Sequence, residues 1–140
     1  MLLPFSAAQM YEVVSDVGAY VEYLPGCESS EVLSRSEQEM TARLVIGKGG
    51  IRQSLTTKNR LVPGERIELG LLEGPFSHFS GTWQFLALET DEGVSGCRVS
   101  LDAEFDFESM MLNLTLGKLL KANTDKVIDA FYRRAIQLYG

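Results

Sequence analysis

The chain has 140 residues, 45% of them hydrophobic and 23% charged, enough for one domain that buries about two thirds of its unfolded surface. That composition excludes a disordered tail, a collagen-like repeat and a disulfide-built mini-domain. A net charge of −6 repels nucleic acid and anionic lipid at long range, which argues against DNA as a partner and leaves any polyanion contact to a local patch.

In chain order, Ser6 and Gln9 form a capping-box pattern ahead of Met10, Tyr11, Val13 and Val14, so a short helix is predicted to about Ser15. Gly18 breaks it, and a second short helical turn over Ala19 to Leu24 ends at Pro25-Gly26. Only Met1 to Leu3 precede Pro4, so a first strand there is expected to be cut short, with either an exposed sheet edge or a start codon assigned late. From Cys27 to about Glu108 the hydrophobic period is two, with turns at Gly47 to Gly50, Pro63-Gly64, Gly74-Pro75 and Asp91 to Gly93: a meander of some six antiparallel strands. One strand carries Cys97, Val99, Leu101, Ala103, Phe105 and Phe107 on a dry face, with Asp102, Glu104, Asp106 and Glu108 on a solvated one. Its partner aligns Phe79, Gly81, Trp83 and Phe85, and Gly81 leaves room for a close approach to the sheet. From Ser109 to Tyr139 the apolar period becomes helical, and one long helix is predicted to cover the aromatic face, with Lys121–Asp125 and Asp129–Arg133 as ion pairs on its wet side. Gly117 marks a bend or a close backbone contact within it. One helix does not fill a wide sheet, so a cavity is expected, with Asn123, Thr124 or His78 offering polar contacts to an occupant.

Several motifs are set aside. Gly47-Lys48-Gly49-Gly50 lacks the spacing of a phosphate loop and reads as a hairpin turn. His78 is the only histidine, so no multi-histidine metal site forms, and no nucleophile elbow accompanies it; neither a metal nor a catalytic residue is expected. Cys27 and Cys97 read as buried reduced thiols. No basic leader and no apolar run of about 18 residues is present, so the expected location is cytoplasmic, peripheral to the inner membrane at most.

Two surfaces keep two readings each. Met110, Met111, Leu112, Leu114 and Leu116, with Leu71, Leu72 and Phe76, form either plain core or a lid that lipid touches. Six bases (Arg43, Lys48, Arg52, Lys58, Arg60, Arg66) share a stretch in which Glu65 is the only acid. Of these, Arg43, Arg52, Lys58 and Arg60 form either a solvated strand pair or a contact for RNA or an anionic membrane surface.

Pro4-Phe5-Ser6-Ala7 with Gln9-Met10-Tyr11, Asp16-Val17 with Tyr20, Leu24-Pro25-Gly26-Cys27, Thr57 with Asn59, Gly74-Pro75-Phe76, Gly81 with Trp83 and Phe85, Phe105-Asp106-Phe107, Phe131, Arg134-Ala135 and Tyr139 together carry a likeness over nearly the full chain. In these residues the chain resembles the START-like coenzyme Q-binding and RatA family, also described as oligoketide cyclase or lipid-transport proteins. The resemblance implies an α+β helix-grip fold: a curved antiparallel sheet wrapped around a long C-terminal helix, with two short helices near the N-terminus. It implies a pocket for a hydrophobic molecule, in this family a polyprenyl quinone such as ubiquinone, lined by Trp83, Phe85, Phe105, Leu116, Leu120 and Phe131. The inward strand and helix patterns add Phe79, Leu101, Met111, Asn123 and Val127. No obligatory cofactor is implied; a bound ubiquinone or other isoprenoid lipid is. The expected function is therefore a non-enzymatic carrier of a hydrophobic small molecule. The alternative that the resemblance implies is a toxin that binds the large ribosomal subunit and blocks subunit association, and a third is a polyketide cyclase-like enzyme.

Overall fold

The computed structural model describes residues 1–48, 50–89, 95–118 and 124–140. The expected turn at Asp91 to Gly93, the Lys121–Asp125 pair, and the lining candidates Leu120 and Asn123 lie outside the described residues.

Helix α1 (Ala7–Ser15) opens with the expected capping box: the Ser6 hydroxyl accepts from the Gln9 amide at 3.1 Å and Gln9 Oε1 accepts from the Ser6 amide at 3.0 Å. Two amides that a helix start leaves unpaired are thereby satisfied. A 3₁₀ turn (Val17–Ala19) leads into α2 (Tyr20–Tyr23), and the Tyr20 hydroxyl donates to the Val14 carbonyl, tying α2 back onto α1.

Strands β1 (Leu2–Leu3), β2 (Cys27–Arg35), β3 (Glu39–Lys48), β4 (Ile51–Val62), β5 (Arg66–Glu73), β6 (Phe76–Glu89) and β7 (Ser95–Phe107) form one antiparallel sheet in the order β1-β7-β6-β5-β4-β3-β2. The six strands after Cys27 are thus a simple meander, as their period of two predicts. β1 adds to the far edge, where Leu2 faces Arg98 and Leu3 faces Cys97. It lies so close to Gly96 that a Cβ there would sit 2.9 Å from the Leu3 carbonyl oxygen, so this edge requires glycine at position 96. The Pro63-Gly64 turn likewise needs its glycine, whose φ is +73°.

The C-terminal segment is helical in its described parts, as predicted, with one local departure: helix α3 (Met110–Leu112), capped by Ser109, passes at once into a π-helical turn (Asn113–Gly117), while helix α4 (Thr124–Tyr139) is regular α-helix. The cause is a tertiary contact that hydrophobic periodicity does not register. Asn113 Oδ1 accepts from the Phe107 amide at 2.9 Å while Asn113 Nδ2 donates to the Phe107 carbonyl at 3.2 Å, so one side chain imitates a strand neighbour at the end of β7. Holding Asn113 there widens the turn, and the Thr115 hydroxyl donates to the Met111 carbonyl at 2.8 Å within it. On α4 the expected Asp129–Arg133 pair is present at 2.9 Å.

Two hydrophobic clusters form among the described residues. The larger joins α1, α2 and α4 to one end of the sheet through Met10, Val14, Tyr20, Met40, Ile67, Trp83, Phe85, Val99, Ile128, Phe131 and Ala135. The smaller gathers Leu55, Phe76, Phe107, Leu112 and Leu116 at the other end. This is an α+β helix-grip arrangement, with α4 laid on the inner face of the sheet.

Candidate functional site

The inner face is sealed at its two ends and less so between them. Cys97 and Val99 are fully buried and Phe107 nearly so, yet Leu101 and Phe105 are half-buried and Ala103 is exposed. The expectation of a uniformly dry face on β7 is therefore corrected at Ala103. Cover thins along one cross-strand band, from Met40, Asn59 and Gly81, which are buried, to the half-buried Leu69 and the exposed Ala103. Met40, Asn59, Leu69, Gly81 and Ala103 lie opposite one another across β3 to β7, a row with an amide, a bare backbone and a methyl group among larger side chains. What approaches Gly81 is Leu69, whose Cδ1 would stand 3.2 Å from a Cβ at that glycine. Pairing between β5 and β6 also stops at Gly70 opposite Ser80, so Leu71 and Phe79 flank a parting of the sheet beside the band.

The sequence-predicted lining residues divide accordingly. Trp83, Phe85, Phe131 and Leu116 are core, with exposures of 5%, 5%, 1% and 2%. Phe79, Leu101, Phe105 and Val127 are half-buried and border the band. Met111 is 59% exposed, as are its neighbours Met110 and Leu114 to a similar degree or more, whereas Leu112 and Leu116 on the same turn are buried. Beneath them, four phenylalanines close the small cluster: Phe76 stacks on Phe107 at 4.4 Å between centroids and meets Phe79 at 5.1 Å and Phe105 at 6.0 Å.

Among the described residues the inner face holds a buried amide, Asn59. It is 4% exposed, and its Oδ1 finds no hydrogen-bond partner. Thr57, two residues earlier on the same face, is also buried. His78, expected near the cavity, stands instead on the outer face, its Nε2 3.7 Å from Glu104 Oε2. A signal for Asn59 exists in the sequence, since it alternates with Lys58 and Arg60 and must therefore point opposite to them.

On the outer face Arg43, Arg52, Lys58 and Arg60 all project from β3 and β4. Strand pairing brings acids to three of them: Arg52 to Glu28 at 2.7 Å, Lys58 to Glu39 at 3.7 Å and Arg60 to Glu68 at 3.6 Å. Arg43 is exposed and has no ion-pair partner among the described residues. These exposed pairs contribute little stability, about 0–1 kcal/mol each, but they reduce the net positive charge of the strip below what its sequence run suggests. Lys58, Arg60, Gln38, Glu39 and Glu68 rim a groove of about 440 Å³ over Gly70.

The remaining reactive groups are quiet. Both cysteines are free, and burial raises the thiol pKa of each, which disfavours the nucleophilic thiolate. Burial also raises the hydroxyl pKa of Tyr20 and Tyr23; at Tyr23 the Arg134 guanidinium, 5.1 Å from the ring centroid, partly opposes that effect. Among the described residues no group of three His, Cys, Asp or Glu side chains could hold a metal ion, and no helix is long and apolar enough to cross a membrane.

Comparison with known proteins agrees with this architecture. Residues 3–132 match the family described as polyketide cyclase / dehydrase and lipid transport. The ribosome association toxin RatA of Pseudomonas aeruginosa is 44% identical over 99% of this chain and 94% of its own length. A mitochondrial coenzyme Q-binding protein homologue of Xenopus laevis is 26% identical, over 99% of this chain and 57% of its own length. Among solved structures, the Zhui aromatase/cyclase of a Streptomyces species superposes with a TM-score of 0.83 at 20% identity, over 98% of this chain and 90% of that one, a likeness of fold. A seven-stranded sheet gripping a C-terminal helix, matched almost end to end in sequence, places this chain in the polyketide cyclase / dehydrase and lipid transport family.

Proposed function

We propose that this chain associates with the ribosome, as the name of its toxin relatives indicates, and that, as the family resemblance implies, it does so on the large subunit and opposes subunit joining. The observation that carries the reading is the 44% identity to a ribosome association toxin with almost complete coverage of both chains. The outer face supplies a means. Arg43, Arg52, Lys58 and Arg60 lie on β3 and β4, while Asp102, Glu104 and Asp106 lie on β7 at the other side of the same sheet. A charge gradient of this kind turns an acidic protein so that its β3–β4 side meets a phosphate surface. Cosedimentation with purified large subunits is the test. With four phosphate contacts, the association constant is expected to fall about a hundredfold between about 50 and 200 mM salt. Arg43→Glu combined with Lys58→Glu is expected to abolish cosedimentation at the lower salt, and cosedimentation indifferent to both salt and charge reversal overturns this surface assignment.

A second reading is favoured by the inner face: the chain holds a hydrophobic molecule against the band between its two core clusters, where Leu101, Phe105 and Phe79 are only half-buried. Each methylene taken from water there contributes about 0.8 kcal/mol, so an isoprenoid chain suits the surface, and a polyprenyl quinone is the candidate in keeping with the coenzyme Q-binding relative. The reading is non-enzymatic, because the band presents apolar side chains and one amide rather than a pair of titratable groups. Occupying an inner face and docking an outer one are compatible in a single molecule.

A further inference from the structure

We infer that Asn59 is the head-group residue of the inner face and that the molecule it selects is an uncharged hydrophobe carrying a hydroxyl group. This rests on the hydrophobic-ligand reading above and deepens it, favouring a reduced, hydroxyl-bearing head over the ketone oxygens of a quinone.

A buried side-chain amide with an unpaired oxygen is destabilising, since the group has given up water and gained no partner. Such atoms are rare in folded proteins and call for an explanation. Asn59 is 4% exposed with Oδ1 unpaired, and its register neighbours Met40 on β3 and Leu69 on β5 are apolar and offer it no hydrogen bond. From Asn59 the row runs over Leu69 and Gly81 to the exposed Ala103, a span of about 14 Å, three strand spacings. An amphiphile lying across the strands along this row puts its tail over the methyl group of Ala103, the bare backbone of Gly81 and the movable Leu69, and its head at Asn59.

The chemistry of the head follows from the amide. Oδ1 accepts a hydrogen bond, so the ligand must donate one. An amide rotated by half a turn would present Nδ2 instead, and a hydroxyl satisfies that orientation too, because it both donates and accepts. A ketone oxygen satisfies only the second. A charged head is disfavoured, because the row around Asn59 holds no counter-ion among the described residues and burying an unpaired charge is far more costly than burying a hydroxyl.

The test uses 1-dodecanol and dodecane, whose bodies match and whose heads differ by the hydroxyl. Binding is read from the emission of Trp83, the only tryptophan in the chain, which neighbours this row at Leu101 and Ile67. The wild-type chain is expected to bind the alcohol about tenfold more tightly than the alkane, the effect of one good hydrogen bond. Asn59→Leu, which fills the same space without polar atoms, is expected to erase that preference, keep the affinity for dodecane and leave the thermal midpoint equal or higher. Asn59→Ala serves the same comparison should leucine fit poorly. If the alcohol preference survives both substitutions, the assignment of Asn59 is overturned while ligand binding stands. If the wild-type chain binds neither probe, the ligand reading itself falls and this inference with it.

Discussion

Replacing Phe131 with alanine is expected to lower the unfolding free energy by about 4 kcal/mol, a large share of the 5–15 kcal/mol typical of such a protein. Phe131 is 1% exposed and is where α4 meets everything else. Its ring lies 5.2 Å from that of Tyr20, 5.8 Å from Tyr23 and 5.3 Å from Trp83, all at steep interplanar angles. Truncation removes three edge-to-face contacts, each contributing about 0.5–1.5 kcal/mol, and leaves a cavity that α2, α4 and β6 cannot all move to fill. The measurement is urea unfolding followed by tyrosine and tryptophan fluorescence. The midpoint should fall by about 2 M with an unchanged slope, since slopes of about 1–3 kcal/mol per molar are usual. A loss below about 1.5 kcal/mol would show that this aromatic junction does not hold the helix to the sheet.

The second large effect is on cargo. Gly81→Trp is expected to reduce co-purified lipid, measured by native mass spectrometry and organic extraction, from near one molecule per chain by more than about tenfold. The substitution is sterically feasible at its root. A Cβ at Gly81 meets Leu69 Cδ1 at 3.2 Å, the Asp102 carbonyl oxygen at 3.6 Å and Ala103 Cβ at 3.7 Å, and the tightest of these is the end of a flexible side chain. The indole must then lie over the band between the two clusters, where a ligand tail would otherwise be. Cosedimentation with the large subunit should be unchanged, because the substitution does not touch the outer strip. Lipid retention equal to the wild type, in a variant that unfolds at its usual urea midpoint, would remove the inner band from the ligand site. Gly81→Leu offers the same comparison with less bulk.

Local signals carried most of the fold. The Ser6–Gln9 box, the Pro63-Gly64 turn and the period-two run from Cys27 all describe interactions within a few residues of one another, and each has its counterpart in the structure. What stayed hidden depends on residues far apart in sequence. The bases of β3 and β4 look unopposed along the chain because Glu65 is the only acid among them, yet Glu28, Glu39 and Glu68 reach them across strands from outside that stretch. The π-helical turn at Asn113–Gly117 is invisible to a helical pattern because its cause, Asn113 bound to both main-chain groups of Phe107, spans two elements. Ala103 alternates correctly with its charged neighbours, but alternation assigns a face and says nothing of what covers it. Asn59 alternates with Lys58 and Arg60, which assigns it the inner face but does not show that its Oδ1 lacks a partner there.

The division of the interior into two clusters has a kinetic consequence. A protein that must admit a long apolar molecule faces a dilemma, because an interior of one piece opens only by unfolding. Here the small cluster is secured by few side chains around Phe76 and Phe107, while the large one ties three helices to the sheet. Cooperative units of unequal stability open independently, so the end bearing Met110, Met111 and Leu114 can part and close again while the rest of the molecule stays native. Under the proposed hydrophobic-ligand reading, loading and release would then proceed at the rate of a local fluctuation, without exposing the whole chain to aggregation or proteolysis.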